Sequence, residues 1–371
     1  MKVGIPSEVK NNEFRVAITP AGVHELVRHG HEVYVQQGAG LGSSITDAEY
    51  VAAGGAILPT ADEVWAIADL LLKVKEPIEE EYHRLRKDQT LFTYLHLAAS
   101  RPCTDALIAS GTTAIAYETV ETADRRLPLL APMSEVAGRL APQVGAYHLM
   151  RAAGGRGVLP GGVPGVAAGK AVVIGGGVSG WNATQIAVGM GFHVTLLDRD
   201  INKLKEADKV FGTKVQTVVS NSFELERACL EADLVIGAVL IPGAKAPKLV
   251  TNELVSRMKP GSVLVDIAID QGGCFEDSHP TTHAEPTFQV HNSVFYCVAN
   301  MPGAVPNTST HALTNATLPY ILELADRGWA EALRRDAALA KGLNTHDGKV
   351  VYREVAEAHG LEHIELSALL G

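Results

Sequence analysis

No apolar run in this sequence approaches the ~20 residues needed to cross a bilayer, so a spanning helix is not expected. Positive charge is in deficit. Lysine and arginine number 32 against 42 aspartates and glutamates, a formal net charge of −10, which argues against a nucleic-acid or anionic-membrane surface. Cysteine is sparse: the four, at 103, 229, 274 and 297, form no C-x-x-C pair, so neither a zinc site nor a disulfide framework is expected, and no metal is assigned. Cys297, inside the apolar run Val294 to Ala299, reads as a small core residue. No solenoid-length repeat and no low-complexity tract is present. The opening Met1-Lys2-Val3-Gly4-Ile5-Pro6 reads straight into a strand and lacks the apolar core and cleavage site of a secretory signal, which makes the cytoplasm the expected location. What the chain does have is glycine, 36 of them, and a 46% hydrophobic fraction suited to an α/β protein with many tight turns. Its 371 residues are long for one core and suggest two domains.

The most specific motif is Lys170-Ala-Val-Val-Ile-Gly-Gly-Gly-Val-Ser-Gly180. An apolar strand ends at Gly175, and Gly175, Gly177 and Gly180 then fit G-x-G-x-x-G. In that pattern the first glycine allows a tight turn, the second lets a diphosphate approach the backbone, and the third lets helix pack on strand. The following helix aims unpaired N–H groups at the anion, so no lysine is required. Asp198, 18 residues after the last glycine, closes a second strand, His193 to Asp198. A carboxylate there accepts hydrogen bonds from both ribose hydroxyls and repels a 2′-phosphate, which points to NAD rather than NADP.

Around this motif the chain reads as two series of alternating strands and helices, the signature of parallel sheets covered by helices. The first series places strands at 3–5, 31–36, 56–58, 69–75, 90–96 and 113–118, with helices at 19–30, 46–53, 61–68 and 79–87. A helical segment from Ser134 to Ala153, with Pro142 bending it or shifting its start, leads to the second series. Strands there are expected at 171–174, 193–198, 215–219, 233–240, 262–269 and 294–299, the count of a complete dinucleotide-binding sheet. After a helix at 312–327 the remaining residues are too few for their own core. The expected fold is therefore α/β, with two doubly wound, Rossmann-like parallel sheets. A nucleotide domain, 129–306, is inserted into a discontinuous substrate domain, 1–128 and 307–371.

Ligands of open parallel sheets bind where strands end at their carboxyl edge, so polar residues there are the candidates. Lys73 and Lys75 share one face of a strand tip, and Lys75 could hold a carboxylate or polarise a carbonyl. His96, at the end of the next strand, could pass protons near neutral pH. Arg15, in a polar loop after the first strand, offers a planar fork for a carboxylate, against an ordinary ion pair. In the nucleotide domain Asp266 falls inside a strand, where backbone donors could pin it. Asp270 falls at that strand's tip, where it could cap a turn or orient water and tune His96.

These residues sit in Gly4-Ile-Pro-Ser-Glu-Val-Lys-Asn-Asn-Glu-Phe-Arg-Val-Ala-Ile-Thr-Pro20, Leu72-Lys-Val-Lys-Glu-Pro77, Tyr94-Leu-His-Leu-Ala98, Ala131-Pro-Met-Ser-Glu-Val-Ala-Gly-Arg139 and Asp266-Ile-Ala-Ile-Asp-Gln-Gly-Gly273. Through those segments the whole chain resembles the alanine dehydrogenase / pyridine nucleotide transhydrogenase alpha-subunit family. The resemblance implies reversible oxidation of L-alanine with NAD to pyruvate and ammonium. It implies that Arg15 and Lys75 bind substrate, that His96 is the acid/base, and that Asp270 assists the water and carbinolamine steps. It also implies cofactor contacts at Ser134, Val178, Ser179, Asp198, Lys203, Ser220, Val239, Leu240, Ile267, Asp270, Val298, Asn300 and Met301, beside the glycines. The positions of Lys203 and Leu240 vary among relatives. His279 and Arg327 stand where relatives carry other polar residues, so no cofactor or magnesium contact is carried over to them. A homo-oligomer, a homohexamer in this family, is implied, with the linking helices as subunit contact. A transhydrogenase subunit needs a membrane-bound partner, a saccharopine-forming dehydrogenase needs acids for a second ammonium, and a non-enzymatic NAD sensor needs none of Arg15, Lys75, His96 and Asp270.

Overall fold

Residues 1–239 and 246–370 are described by the structure, a computed structural model. The chain divides into two compact units, Met1–Met133 with Val305–Gly371, and Ser134–Ala304. Along the first stretch run β1 (Lys2–Ile5), β2 (Glu32–Gln36), β3 (Ala56–Leu58), β4 (Leu70–Leu72), β5 (Thr90–Thr93) and β6 (Thr113–Ala116). The second unit holds β7 (Lys170–Ile174), β8 (His193–Asp198), β9 (Val215–Val219), β10 (Leu234–Gly237), β11 (Val263–Asp266), β12 (Thr287–Val290) and β13 (Ser293–Tyr296). The chain then returns through the helix Pro306–Arg327 to β14 (Leu343–His346) and β15 (Lys349–Val350).

In the first unit the strand order is β15-β14-β6-β5-β4-β1-β2-β3. The strands from β6 to β3 run parallel, and β14 lies antiparallel to both β6 and β15. Parallel neighbours need crossovers, and helices supply them with starts written into the sequence. Thr46 and Thr60 each cap a helix and receive a glutamate in return, Glu49 and Glu63, satisfying two otherwise orphaned N–H groups apiece. Burial on both faces explains why β4 is three consecutive leucines, all buried.

In the second unit the order is β12-β13-β11-β10-β7-β8-β9, parallel except for β12. Side-chain alternation divides its core. Val173, Ile236 and Val265 pack on one face of the sheet, Val172, Val235 and Leu264 on the other.

The α/β class agrees with the sequence expectation, but the sheets are mixed rather than purely parallel. Two antiparallel edge hairpins, β12–β13 and β14–β15, had not been read from the sequence. Several strands also stop early, three of them where a carboxylate takes the backbone N–H groups that follow. Beyond β4, a carboxylate of Glu8 takes the N–H groups of Val74 and Lys75 at 2.6 and 3.3 Å. Beyond β5, Glu118 takes those of Leu95 and His96. Beyond β11, Asp266 accepts from Ala268 and caps a 3₁₀ turn, Ile267–Gln271. Side-chain oxygens thus end the ladder where apolar composition alone suggested it would continue. The segment at 79–87 is a 3₁₀ helix, Glu79–Arg84, rather than an α-helix. The helix expected from Ser134 begins at Ala131 and runs through Pro142 to His148, with a separate 3₁₀ turn at Arg151–Ala153. Among the described residues no helix is long and apolar enough to cross a membrane.

Candidate active site

In the first unit Lys75 and His96 follow the carboxyl ends of β4 and β5, and Arg15 lies in the loop between β1 and the helix Pro20–Arg28. Arg15 is 2% exposed. Its Nε and Nη2 meet Glu13 at 2.6 and 2.5 Å, and its Nη1 lies 3.0 Å from Met133 Sδ. Burial works against the guanidinium, but the Glu13 carboxylate outweighs it and raises the Arg15 pKa, so the cation is permanent. The fork that the sequence offered to a substrate is therefore engaged along one edge by a residue two positions upstream. Tyr94 packs edge-on against Tyr117 and donates to the Leu129 carbonyl at 2.5 Å; burial raises its pKa and keeps it neutral.

The two strand-tip lysines separate in role. Lys73 is fully buried between Glu81, at 2.9 Å, and Glu8, at 3.2 Å, and is a structural charge. Lys75 is half-buried. The next residue, Glu76, reaches in two directions: Oε1 pairs with Lys10, and Oε2 lies 3.8 Å from Nδ1 of His96. His96 itself has φ +50, a left-handed conformation that is costly for a residue with a Cβ. Its N–H donates to Glu118 at 2.6 Å, which helps hold that backbone, and its side chain remains 41% exposed.

In the second unit the glycine loop leaves room for an anion. Gly175 has φ +100, and a Cβ there would lie 2.9 Å from the Ala238 carbonyl. A Cβ on Gly180 would lie 1.7 Å from the Gly175 carbonyl, so strand and helix meet without a side chain between them. Gly177 is different: an added Cβ meets nothing within 4 Å. It is the N-cap of the helix Val178–Gly189, and no side chain caps that end. Open space at an uncapped helix head is what a bound diphosphate requires. Asp198, ending β8, accepts from the N–H groups of Gly176 at 2.6 Å and Asp200 at 2.8 Å, and Lys203 lies 3.5 Å away. Its carboxylate is thus fixed against the loop, where a ribose would follow the diphosphate.

The remaining cofactor candidates surround the same sheet edge. Val178 and Ser179 open the helix, and Ser220 follows β9, donating its N–H to the Asp198 carbonyl at 2.9 Å. Val239 sits over Gly175. Ser134 lies in the helix Ala131–His148, whose Gly138 crosses close to the Ser179 carbonyl. Val298, Asn300 and Met301 follow β13, with Asn300 at φ +62. Ile267 opens the 3₁₀ turn, and Asp270 is exposed within that turn rather than at a strand tip, because β11 ends at Asp266. Leu240 lies outside the described residues. Asp266, the last residue of β11 rather than one inside the strand, is fully buried and accepts from Ala268, Cys274, Phe275 and Ser278. Cys297 is buried too, and burial pushes its thiol up to about 12, too high for a nucleophile. Four acids escaped the sequence reading of the site: Glu8, Glu13, Glu76 and Glu118. Three adjoin or lie within two residues of a candidate cation or strand end, which was the available signal.

Comparison with known proteins places the chain within one family. Residues 4–137 match the family model described as "Alanine dehydrogenase/PNT, N-terminal domain", and residues 141–353 match its "C-terminal domain" counterpart. Alanine dehydrogenase of Mycolicibacterium smegmatis is 70% identical over 357 residues, covering 96% of both chains. That of Halomonas elongata is 57% identical over 371 residues, covering 100% of both. A solved L-alanine dehydrogenase superposes with a TM-score of 0.95 at 51% identity, covering 97% of this chain and 99% of its own. A transhydrogenase from Sinorhizobium meliloti superposes at 0.83 with 27% identity, covering 95% and 100%.

Proposed function

The chain belongs to the alanine dehydrogenase/PNT family, and from that premise we propose that it catalyses the reversible, NAD-dependent oxidative deamination of L-alanine to pyruvate and ammonium. It is an oxidoreductase acting on an amino acid. The observation that carries this reading is identity of 54–70% with several alanine dehydrogenases over nearly the full length, against 27% with the transhydrogenase. NAD is supported by the fit of the cradle: Gly177 leaves open space at an uncapped helix head, and Asp198 offers a carboxylate where a ribose would lie.

NAD, when bound, supplies the acceptor for the Cα hydride. The chain's own residues do the rest. Arg15 and Lys75 hold the alanine carboxylate and the carbonyl side, which fixes the direction of the Cα–H bond. Loss of hydride leaves an iminium, to which water adds. His96 takes a proton from that water, returns it to the amine, and accepts the hydroxyl proton as the C–N bond breaks and the carbonyl forms, with Asp270 assisting these transfers. Glu13 keeps Arg15 in place, so the cation is presented without reorganisation. We extend the reading to a homo-oligomer of six copies and a cytoplasmic location, to be checked by light scattering and by cell fractionation.

The test is to follow NADH absorbance with the purified chain and a panel of L-amino acids, then with pyruvate and ammonium. Alanine-dependent NADH formation, without a second nucleotide or partner protein, is expected. No signal with alanine in either direction would remove this reading in favour of the transhydrogenase one.

A further inference from the structure

We propose that Glu76 is a positioning residue for this reaction, its Oε2 holding the Nδ1 side of the His96 imidazole while Lys10 anchors its Oε1. The inference rests on the acid/base reading of His96 given above.

Three observations carry it. Glu76 Oε2 is buried and makes no hydrogen bond among the described residues, although a buried carboxylate oxygen without a partner is costly. The side chain facing it is the His96 imidazole, at 3.8 Å, and the carboxylate's other oxygen is already taken by Lys10. The backbone of His96 is held at φ +50 by Glu118, so the ring is presented toward Glu76 at a conformational cost. A distance of 3.8 Å is within ion-pair reach but beyond hydrogen-bond length, so the carboxylate acts on the Nδ1 side of the ring through its charge.

The surroundings keep Glu76 charged. Burial alone would raise its pKa, but His96, Lys10 and Lys75 hold it at about 2. From the neighbouring elements it also faces Tyr82, in the turn Glu79–Arg84, and Cys103, in the helix Arg101–Ser110. Burial pushes both of these up to about 12, so they stay neutral. A carboxylate fixed on Nδ1 keeps the ring proton there and leaves Nε2 to take and return the proton of the reaction. Glu76 itself takes no proton. It selects the tautomer and stabilises the imidazolium, and Lys10 moderates that stabilisation.

The experiment compares the full chain with Glu76→Gln, Glu76→Asp, Lys10→Met and His96→Asn, measuring kcat and KM for alanine across pH and NADH affinity by fluorescence. In Glu76→Gln, kcat falls roughly 10- to 100-fold and KM stays within about 3-fold. The acid limb of kcat/KM moves to lower pH by about one pH unit, because the imidazolium has lost its counter-charge. Glu76→Asp recovers part of kcat. Lys10→Met moves the limb the opposite way, since removing a cation favours the imidazolium; Lys10 is 42% exposed, so this variant tests the idea even where Glu76→Gln does not fold. An unchanged kcat and acid limb in Glu76→Gln, or a Lys10→Met limb that is unmoved or moves to lower pH, would overturn the assignment. Near-native turnover in His96→Asn would instead overturn the acid/base reading beneath it, whereas an inactive His96→Asn beside an unaffected Glu76→Gln sinks only the role of Glu76.

Discussion

Gly177→Ala and Gly180→Ala each add one methyl group to the same loop, and the two should fail differently. At Gly180 the methyl would lie 1.7 Å from the Gly175 carbonyl oxygen, which is backbone and cannot rotate away. Strand and helix must separate by more than an ångström, and overpacking of that kind costs about 3 kcal/mol. At Gly177 the methyl meets nothing within 4 Å, and the residue's φ of −73 and ψ of −169 are extended values that alanine adopts freely. The cost there is only that of alanine at an N-cap, about 0.5–1 kcal/mol. The same methyl, however, fills the space proposed for the diphosphate. Losing one charge-assisted bond to a helix N–H costs about 2 kcal/mol, or about 30-fold in Kd. Urea unfolding without ligand and NADH fluorescence titration separate the outcomes: Gly180→Ala loses stability first, Gly177→Ala loses affinity first. A Gly177→Ala protein that bound NADH as tightly as the parent would refute the placement of the diphosphate.

Lys73→Met leaves Glu8 and Glu81 buried without their cation, and urea unfolding at neutral pH should show a loss of about 3–5 kcal/mol. Asp198→Ala removes the ribose acceptor and the clamp on Gly176; titration should show NADH binding weakened about 10-fold or more and the preference over NADPH reduced. Folding lowers the Glu76 pKa from 4.5 to about 2, so its ionised form favours the native state above pH 4.5. That contribution, about 3 kcal/mol, drains away as pH falls toward 2, and Glu76→Gln should lose correspondingly less stability across this window in acid-dependent urea melts.

The architecture was legible because its signals are long and redundant. Strand, glycines, helix, second strand and Asp198 each constrain the others, and β7 and β8 fall within a residue of where they were read. The edge hairpins were not, because β14 carries buried polar residues, Asn344 and Thr345, that disguise a strand. Its turn was visible in principle: Asp347-Gly348, both at positive φ, is a favoured two-residue hairpin pair. In the site, cations and the histidine stood out by residue type. The acids that fix them did not, because closeness in sequence to a cation or a strand end does not say which group Glu13, Glu76 or Glu118 meets once the chain folds. Asp270 was read as a strand tip because nothing in Ala268 or Ile269 announces that the Asp266 side chain has already turned the chain.

The pairing of β6 with β14 joins Ile115 to Leu343 and so imposes an order of assembly during synthesis. The unit Ser134–Ala304 is one uninterrupted stretch and can finish folding while the ribosome is still working. The outer unit cannot. Its β6 edge waits for some 230 further residues, about 10 to 45 s at ordinary translation rates. For that interval a hydrophobic strand is open to other nascent chains. Ribosomes slowed between β6 and β14 should therefore yield more aggregate, and a chaperone that shields nascent sheet edges should matter more to this chain than to one whose sheets close in sequence.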